Sequence, residues 1–449
     1  MSASVSAREP WKLGEASGAP DWLKMWGETR WRYEEQNGRF RAGRTGNDRL
    51  LAIRNLLTVE AHSGPFSLGF ELQDSRTYLD SADSPNTNSF TNPLDFLQLY
   101  ARVKTRDFLY PGVDATLTVG RQIPSIGSKR QIERIDFANV IKSYSGAYLQ
   151  TKSKRGAELH AFYGVLVGRE PTDFALLDRN ALRADKEQWG RTFWLAHYRR
   201  PNILPGLVSD LWGELFVYGL FETDKPGVQT PNRQYVWPGF RIYRGKAKGG
   251  WDADAEIAWR FGSRRATSDP NDTRDLDSSS SMVFLKAGYT LESDLNLNIA
   301  MQYYRTSGDK DPNDDNYDQF ERLFGGRRGD LNNTSIHGPL TPANLTAIGP
   351  RFEVKPSDRM DARLTYSATY LTSATDAWVV ARLRDPTGQS GNFIGHAIDG
   401  RARYWIVPGN LQLEVGASAL IFGGFAKNVP NGPTRSRSLF GYTQFTVFF

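Results

Sequence analysis

The feature that most constrains this chain is a charge on every second residue of otherwise apolar strands. Within 22–34, Leu23, Met25, Thr29, Trp31 and Tyr33 share one face, while Lys24, Glu28, Arg30, Arg32 and Glu34 share the other. Side chains of a strand alternate with period two, so one face is oily and the other ionic. Charges that dense cannot line a dry core. They can line a water-filled channel whose outer wall meets lipid.

The pattern returns along the chain. Leu51, Ile53, Leu57 and Val59 oppose Arg54, Thr58 and Glu60. Leu97, Leu99, Ala101 and Val103 oppose Gln98, Tyr100, Arg102 and Lys104. Trp251, Ala255, Ile257, Trp259 and Phe261 oppose Asp252, Asp254, Glu256 and Arg260. Met360, Ala362, Leu364 and Tyr366 oppose Asp361, Arg363 and Thr365. A one-residue slip would put such charges into lipid, at roughly 2–4 kcal/mol per Arg or Lys near the midplane. The chain finishes in the same alternation, with Leu439, Thr443, Phe445, Val447 and Phe449 on one face. An open apolar edge is a hazard in water, whereas in a closed barrel the last strand pairs with the first. The terminal Phe449 resembles the signature of bacterial outer-membrane barrels.

Composition agrees with that reading. No stretch supplies the ~18 consecutive apolar residues of a membrane helix, and only 39% of the 449 residues are hydrophobic. A barrel with a wet lumen and long loops is also polar on average. The 12 Trp and 19 Tyr suit aromatic girdles at two interfaces. An aromatic-rich propeller is the competing architecture, but no fixed-period repeat supports it. With 0 Cys, disulfides and thiolate metal sites are excluded. The net charge of +6 suits anionic lipid or an anionic solute. No basic run interleaved with aromatics points to nucleic acid.

Short connections (63–65, 153–155, 248–249, 293–294, 355–357, 408–409) alternate with long ones (78–92, 123–144, 169–186, 265–279, 307–343, 373–392). The expected fold is an all-β, transmembrane, antiparallel up-and-down barrel of about 18 strands over 21–449. Short turns and both termini would be periplasmic, and the long loops extracellular. Residues 1–20, rich in Gly, Ala, Ser and Pro, read as a flexible periplasmic segment. Met1-Ser2-Ala3-Ser4 lacks the features of a signal peptide, so the chain reads as a mature form.

Two regions resemble the alginate-export family of outer-membrane barrels. One is Thr118-Val119-Gly120-Arg121-Gln122, followed by Phe137, Asn139, Ser143, Tyr144 and Gly146. The other is Ile394-Gly395-His396-Ala397-Ile398-Asp399, with Tyr317-Asp318, Phe320, Phe324 and Gly329-Asp330 between them. The resemblance implies a monomeric porin, set among outer-membrane lipid and lipopolysaccharide, that passes an acidic polysaccharide or its fragments without a cofactor. It also implies that Arg121 attracts carboxylates in the narrow region. Parity sets Arg121 with Leu117 and Val119 on the lipid face, so either a bulge turns it inward or it stands above the bilayer.

Basic candidates for the pore lining are Arg30, Arg32, Arg54, Arg102, Arg351, Arg363, Arg401 and Arg403, with acidic Asp252, Asp254, Glu256 and Asp399. Most of these arginines come from strands near the closing seam, and Asp252, Asp254 and Glu256 come from the middle strands opposite. A basic wall facing an acidic wall is expected. Arginine suits carboxylates because its planar fork donates two hydrogen bonds and stays charged. The plainer alternative is that these charges pair across strands and only stiffen the wall. Tyr100, Trp26 and Tyr218 could stack on sugar faces. Asp309, Asp311, Asp314 and Asp315 could hold Ca²⁺ in an outer loop, although EF-hand spacing is lacking.

The expected function is a passive channel for an alginate-like anionic polysaccharide or oligosaccharide. Uptake of acidic sugars, aromatic acids or other small anions is the first alternative. An outer-membrane enzyme is the second, and it lacks any Gly-x-Ser-x-Gly elbow. The 123–144 and 307–343 loops are the candidates for narrowing the lumen.

Overall fold

The computed structural model describes residues 10–332 and 335–449. The first six strands are β1 (Leu23–Asn37), β2 (Asn47–Ser63), β3 (Phe66–Tyr78), β4 (Asn92–Thr105), β5 (Val113–Gln122) and β6 (Tyr144–Ser153). Next come β7 (Glu158–Gly168), β8 (Lys186–Arg200), β9 (Leu211–Glu222), β10 (Gln234–Arg244), β11 (Gly250–Arg265) and β12 (Asp275–Thr290). The last six are β13 (Asn298–Thr306), β14 (Thr346–Ser357), β15 (Met360–Tyr370), β16 (Phe393–Val407), β17 (Leu411–Phe422) and β18 (Arg437–Phe448). Every strand pairs antiparallel with its sequence neighbours, and β1 also pairs with β18, so the 18-stranded sheet is a closed barrel. At the seam Arg30 lies opposite Thr446, and the Gly27 amide donates to the Phe449 carbonyl at 2.8 Å. Closure removes both edges, which is what an alternating terminal strand needs.

The outer face follows the alternation. Trp31, Leu99, Leu215, Trp251, Trp259, Phe261 and Leu364 are exposed apolar side chains, while Asp252, Glu256 and Arg260 between them are buried inward. Among the described residues no helix is long and apolar enough to cross a membrane. The strands make the crossing. Two boundaries differ from expectation. The connection between β11 and β12 shrinks to 266–274, because Arg265 and Asp275 still pair in register. The turn expected at 355–357 is Asp358-Arg359, with β14 continuing to Ser357 through an irregularity at Pro356. Proline has no N–H for the ladder, so the register shifts there.

The lumen is less wet than the sequence suggests. Lumen-facing Tyr144, Phe162, Phe193, Tyr235, Phe284 and Tyr304 join Ile126, Ile132, Phe320, Leu340 and Trp378 of the long loops in one buried apolar cluster. Inward-folded loops need an apolar seat, and the middle strands supply it in place of charge. Within the N-terminal segment, Trp11 contacts the barrel. Trp11 exchanges hydrogen bonds with the Asn410 side chain, both at 2.7 Å, and its ring rests against Phe449. A one-turn helix, α1 (Leu13–Ala16), follows. Residues 1–9 of the expected flexible segment lie outside the described residues.

Candidate functional site

The 123–143 loop crosses the lumen, and the predicted seam arginines hold it there. Arg30 donates to the carbonyls of Asp136 (2.6 Å) and Ala138 (3.0 Å). Arg54 donates to the same two carbonyls at 2.9 and 2.7 Å and pairs with Glu28. Arg32 donates to the Phe137 carbonyl at 2.6 Å, pairs with Glu34, and stacks 4.0 Å from the Phe137 ring. Asn139 is fully buried and donates to the carbonyls of Ile53, Arg76 and Phe90. Buried carbonyls need such donors. The aromatic–Asn pair of the family motif is therefore the loop's anchor.

The other end of the loop reaches the acidic wall. Arg130 bonds Glu256 (2.7 Å), Asp254 (2.8 Å) and Asp330 (2.9 Å), with its guanidinium 3.4 Å from the Phe284 ring centre. Burial opposes its charge, but these three carboxylates outweigh burial and hold the cation firmly. Arg241 pairs with Asp254 at 2.7 Å and Glu214 at 3.3 Å. Asp252 accepts from Asn298 at 2.6 Å and lies 3.7 Å from Lys286. Arg130, Arg241 and Lys286 thus set cations against the acidic wall from within the lumen.

The 307–345 loop is held from a third side. Arg351 donates to the Gly329 carbonyl and pairs with Glu353. Arg363 donates to the carbonyls of Gly329 and Arg328 and pairs with Asp399 at 3.3 Å. Asp399 itself is buried. Arg328 of the loop pairs with Glu414. His337 sits fully buried between Glu34 (3.2 Å) and Asp48 (3.3 Å). Burial works against its charge, yet hydrogen bonds to both carboxylates raise its pKa above the usual value.

Three predicted arginines lie at the short-turn end, with Arg403 and Arg102 partly exposed and Arg401 mostly buried. Arg401 and Arg403 share Asp361 and line a cavity of ≈ 710 Å³ with Lys246, Lys248, Lys355 and Trp405. Arg102 pairs with Glu60 at 2.8 Å beside a second cavity, of ≈ 770 Å³, that Lys104, Arg106 and Lys152 line. Tyr100 donates to Glu60 beneath Arg102. Tyr218 is not available to a solute, because His197 and the inward loops bury it.

Arg121 corrects the family carry-over. Its register with Leu99 and Ser145 runs unbroken, so no bulge turns it inward. It stands at the long-loop end of β5, on the outward row, bound to Glu187 (2.7 Å) and the Phe96 carbonyl (2.8 Å). The acidic loop run is not gathered either. The Asp309 amide donates to Asp376, while Asp311 and Asp314 accept from the amides of Asn313 and Asn316, and Asp315 pairs with Arg274. Among the described residues no group of three or more metal-ligating side chains converges. Sequence reasoning missed Arg130, Arg328 and His337. Loop charges interleaved with Ile132, Phe320 and Phe324 were the available signal, since an outward loop has no use for those apolar residues.

A lipid-facing barrel of this size, with a charged lumen narrowed by its own loops, is a channel of the outer membrane. The chain belongs to the alginate export family, whose model matches residues 21–438. No protein of curated function matches it in sequence. Among solved structures, Pseudomonas aeruginosa OccK2 (OpdF) in complex with glucuronate has a TM-score of 0.58 at 13% identity, covering 95% of this chain and 98% of that one. A BenF-like porin from Pseudomonas fluorescens Pf-5 has a TM-score of 0.59 at 11% identity, covering 95% and 98%. Acinetobacter baumannii OccAB2 has a TM-score of 0.58 at 12% identity, covering 96% and 98%. At such identities the likeness is one of fold. Family and neighbours alike are transport barrels.

Proposed function

We propose that the protein is a passive channel for uronate-bearing polysaccharide or oligosaccharide, with periplasmic termini and extracellular long loops. The observation that carries this reading is the pair Arg401 and Arg403 at the ≈ 710 Å³ cavity, where five cations (with Lys246, Lys248 and Lys355) meet three carboxylates, Glu353, Asp358 and Asp361. Two arginines share one carboxylate there, Asp361, so donors remain for a passing anion. Several exposed, weak contacts in series let a charged solute in without trapping it. The channel acts as a monomer within lipid and lipopolysaccharide, and conduction draws on no cofactor.

A second reading is uptake of small acidic sugars. It is favoured by the loops that narrow the lumen, and by the glucuronate bound to the OccK2 neighbour. Block of single-channel conductance separates the two. The first reading expects alginate oligosaccharides to block and neutral dextran not to. The second expects glucuronate to block and longer oligomers to be excluded. Indifference to every uronate would overturn both.

A further inference from the structure

Between the inward loops, away from the wall arginines, lies a cavity of ≈ 220 Å³ lined by Lys142, Arg169, Arg322 and Arg327. No Asp or Glu lines it. Elsewhere in the lumen buried cations such as Arg130, Arg54 and Arg241 pair with carboxylates. Here the partners are neutral. Arg169 donates to the Ser89 hydroxyl at 3.1 Å. Arg327 donates to the carbonyls of Ser335 (2.6 Å) and Leu340 (3.0 Å), and Arg322 to that of Gly325. The Lys142 ammonium lies 4.7 Å from the Phe324 ring centre and has no ion pair among the described residues.

Like charges gathered out of water are costly unless an anion joins them. Burial, then repulsion from Arg169, Arg191 and Arg322, presses the Lys142 pKa well below its usual value. Burial, Arg322 and Arg41 lower Arg327 to about 9. The carboxylates that act on this group, Asp185 on Arg169 and Glu133 on Arg322, do so without forming an ion pair. Arg328, paired with Glu414, also reaches the lining, and most of the rest is aromatic or aliphatic, including Phe90, Phe137 and Phe324. Such rings suit the apolar faces of a pyranose. The volume lies below the ~300 Å³ at which pockets for drug-sized ligands begin, which fits a single sugar ring and not a longer segment.

We infer that this cavity is an anion site for one carboxylate-bearing sugar ring, held by Lys142, Arg169, Arg322 and Arg327. It deepens the uronate reading and rests on it. The wall arginines Arg30, Arg32 and Arg54 are buried and turned onto loop carbonyls. Recognition therefore passes to the loops that the wall holds, and charge-assisted bonds from arginine forks supply it.

The test uses the full-length protein, with Lys142→Gln and the Lys142→Gln/Arg169→Gln pair. Block by glucuronate is read in planar bilayers, and sulfate binding by calorimetry in micelles. The inference expects the half-blocking glucuronate concentration to rise at least tenfold in the pair, with sulfate binding lost. If wild type and pair are blocked alike, the site is overturned and the uronate channel stands. If wild type ignores glucuronate and alginate oligomers but binds sulfate through these residues, the uronate reading falls and an anion site of another specificity replaces this one. If wild type binds neither anion, the inference fails. Should the pair not fold, Lys142→Gln carries the same test, since no hydrogen bond of the fold depends on its ammonium.

Discussion

Arg30 and Arg54 face each other across β1 and β2, and both donate to the carbonyls of Asp136 and Ala138. Directly opposed like charges ordinarily destabilise a sheet. Here two loop carbonyls and Glu28 sit between them and turn the repulsion into a clamp. Arg54→Ala leaves Glu28 without its partner and halves the clamp. The expected result is a larger, noisier unit conductance in planar bilayers as the 123–143 loop loosens.

Arg130 offsets three carboxylates at once. Removing one partner of a buried charge network costs roughly 3–5 kcal/mol. Arg130→Ala is expected to lower the denaturant midpoint of the folded protein in micelles. It should also shift the reversal potential in a KCl gradient towards cation selectivity, since Asp254, Glu256 and Asp330 then face the lumen with less compensation.

Arg401 and Arg403 sit at the open cavity rather than under a loop. Replacing both by Ala frees Asp361 and should move selectivity towards cations; losing the more exposed Arg403 pair costs only about 0–1 kcal/mol, and losing the largely buried Arg401 pair costs more. Reversal potentials and thermal scans of the same preparation would read the two effects separately.

His337 ties the 307–345 loop to Glu34 on β1 and Asp48 on β2. Arg32 and Arg39 also pair with those two carboxylates, and Phe440 packs on the ring. A raised pKa means that the protonated tie is fully present below the ordinary histidine range and is lost as pH rises through the raised value. Channel noise should therefore increase on going alkaline, and His337→Gln should flatten that dependence.

Leu364 is exposed on the outward face of β15. Leu364→Arg should destabilise the barrel by roughly 2–4 kcal/mol if it lies near the bilayer midplane, measured by unfolding in lipid vesicles. Arginine at lumen-facing 363 is already tolerated, so the contrast tests which face meets lipid.

Alternation made the barrel legible: two faces of opposite chemistry in a strand such as 251–261 admit few other folds. The same rule assigned nearly every wall arginine to the lumen. It could not say what those arginines touch. Arg30, Arg32, Arg351 and Arg363 bind loop backbone, and a carbonyl acceptor leaves no trace in side-chain pattern. Asn139 was visible only as part of a family motif. Its reason for being asparagine, three carbonyls to satisfy, emerges from the fold. The loop cations Lys142 and Arg322 come together from segments some 180 residues apart, and such a meeting depends on how loops pack.

Because β1 carries both the seam to β18 and the arginines that pin the 123–143 loop, wall and constriction reach completion together. Insertion machinery that released the protein before the final strand zipped would deliver a pore without its filter.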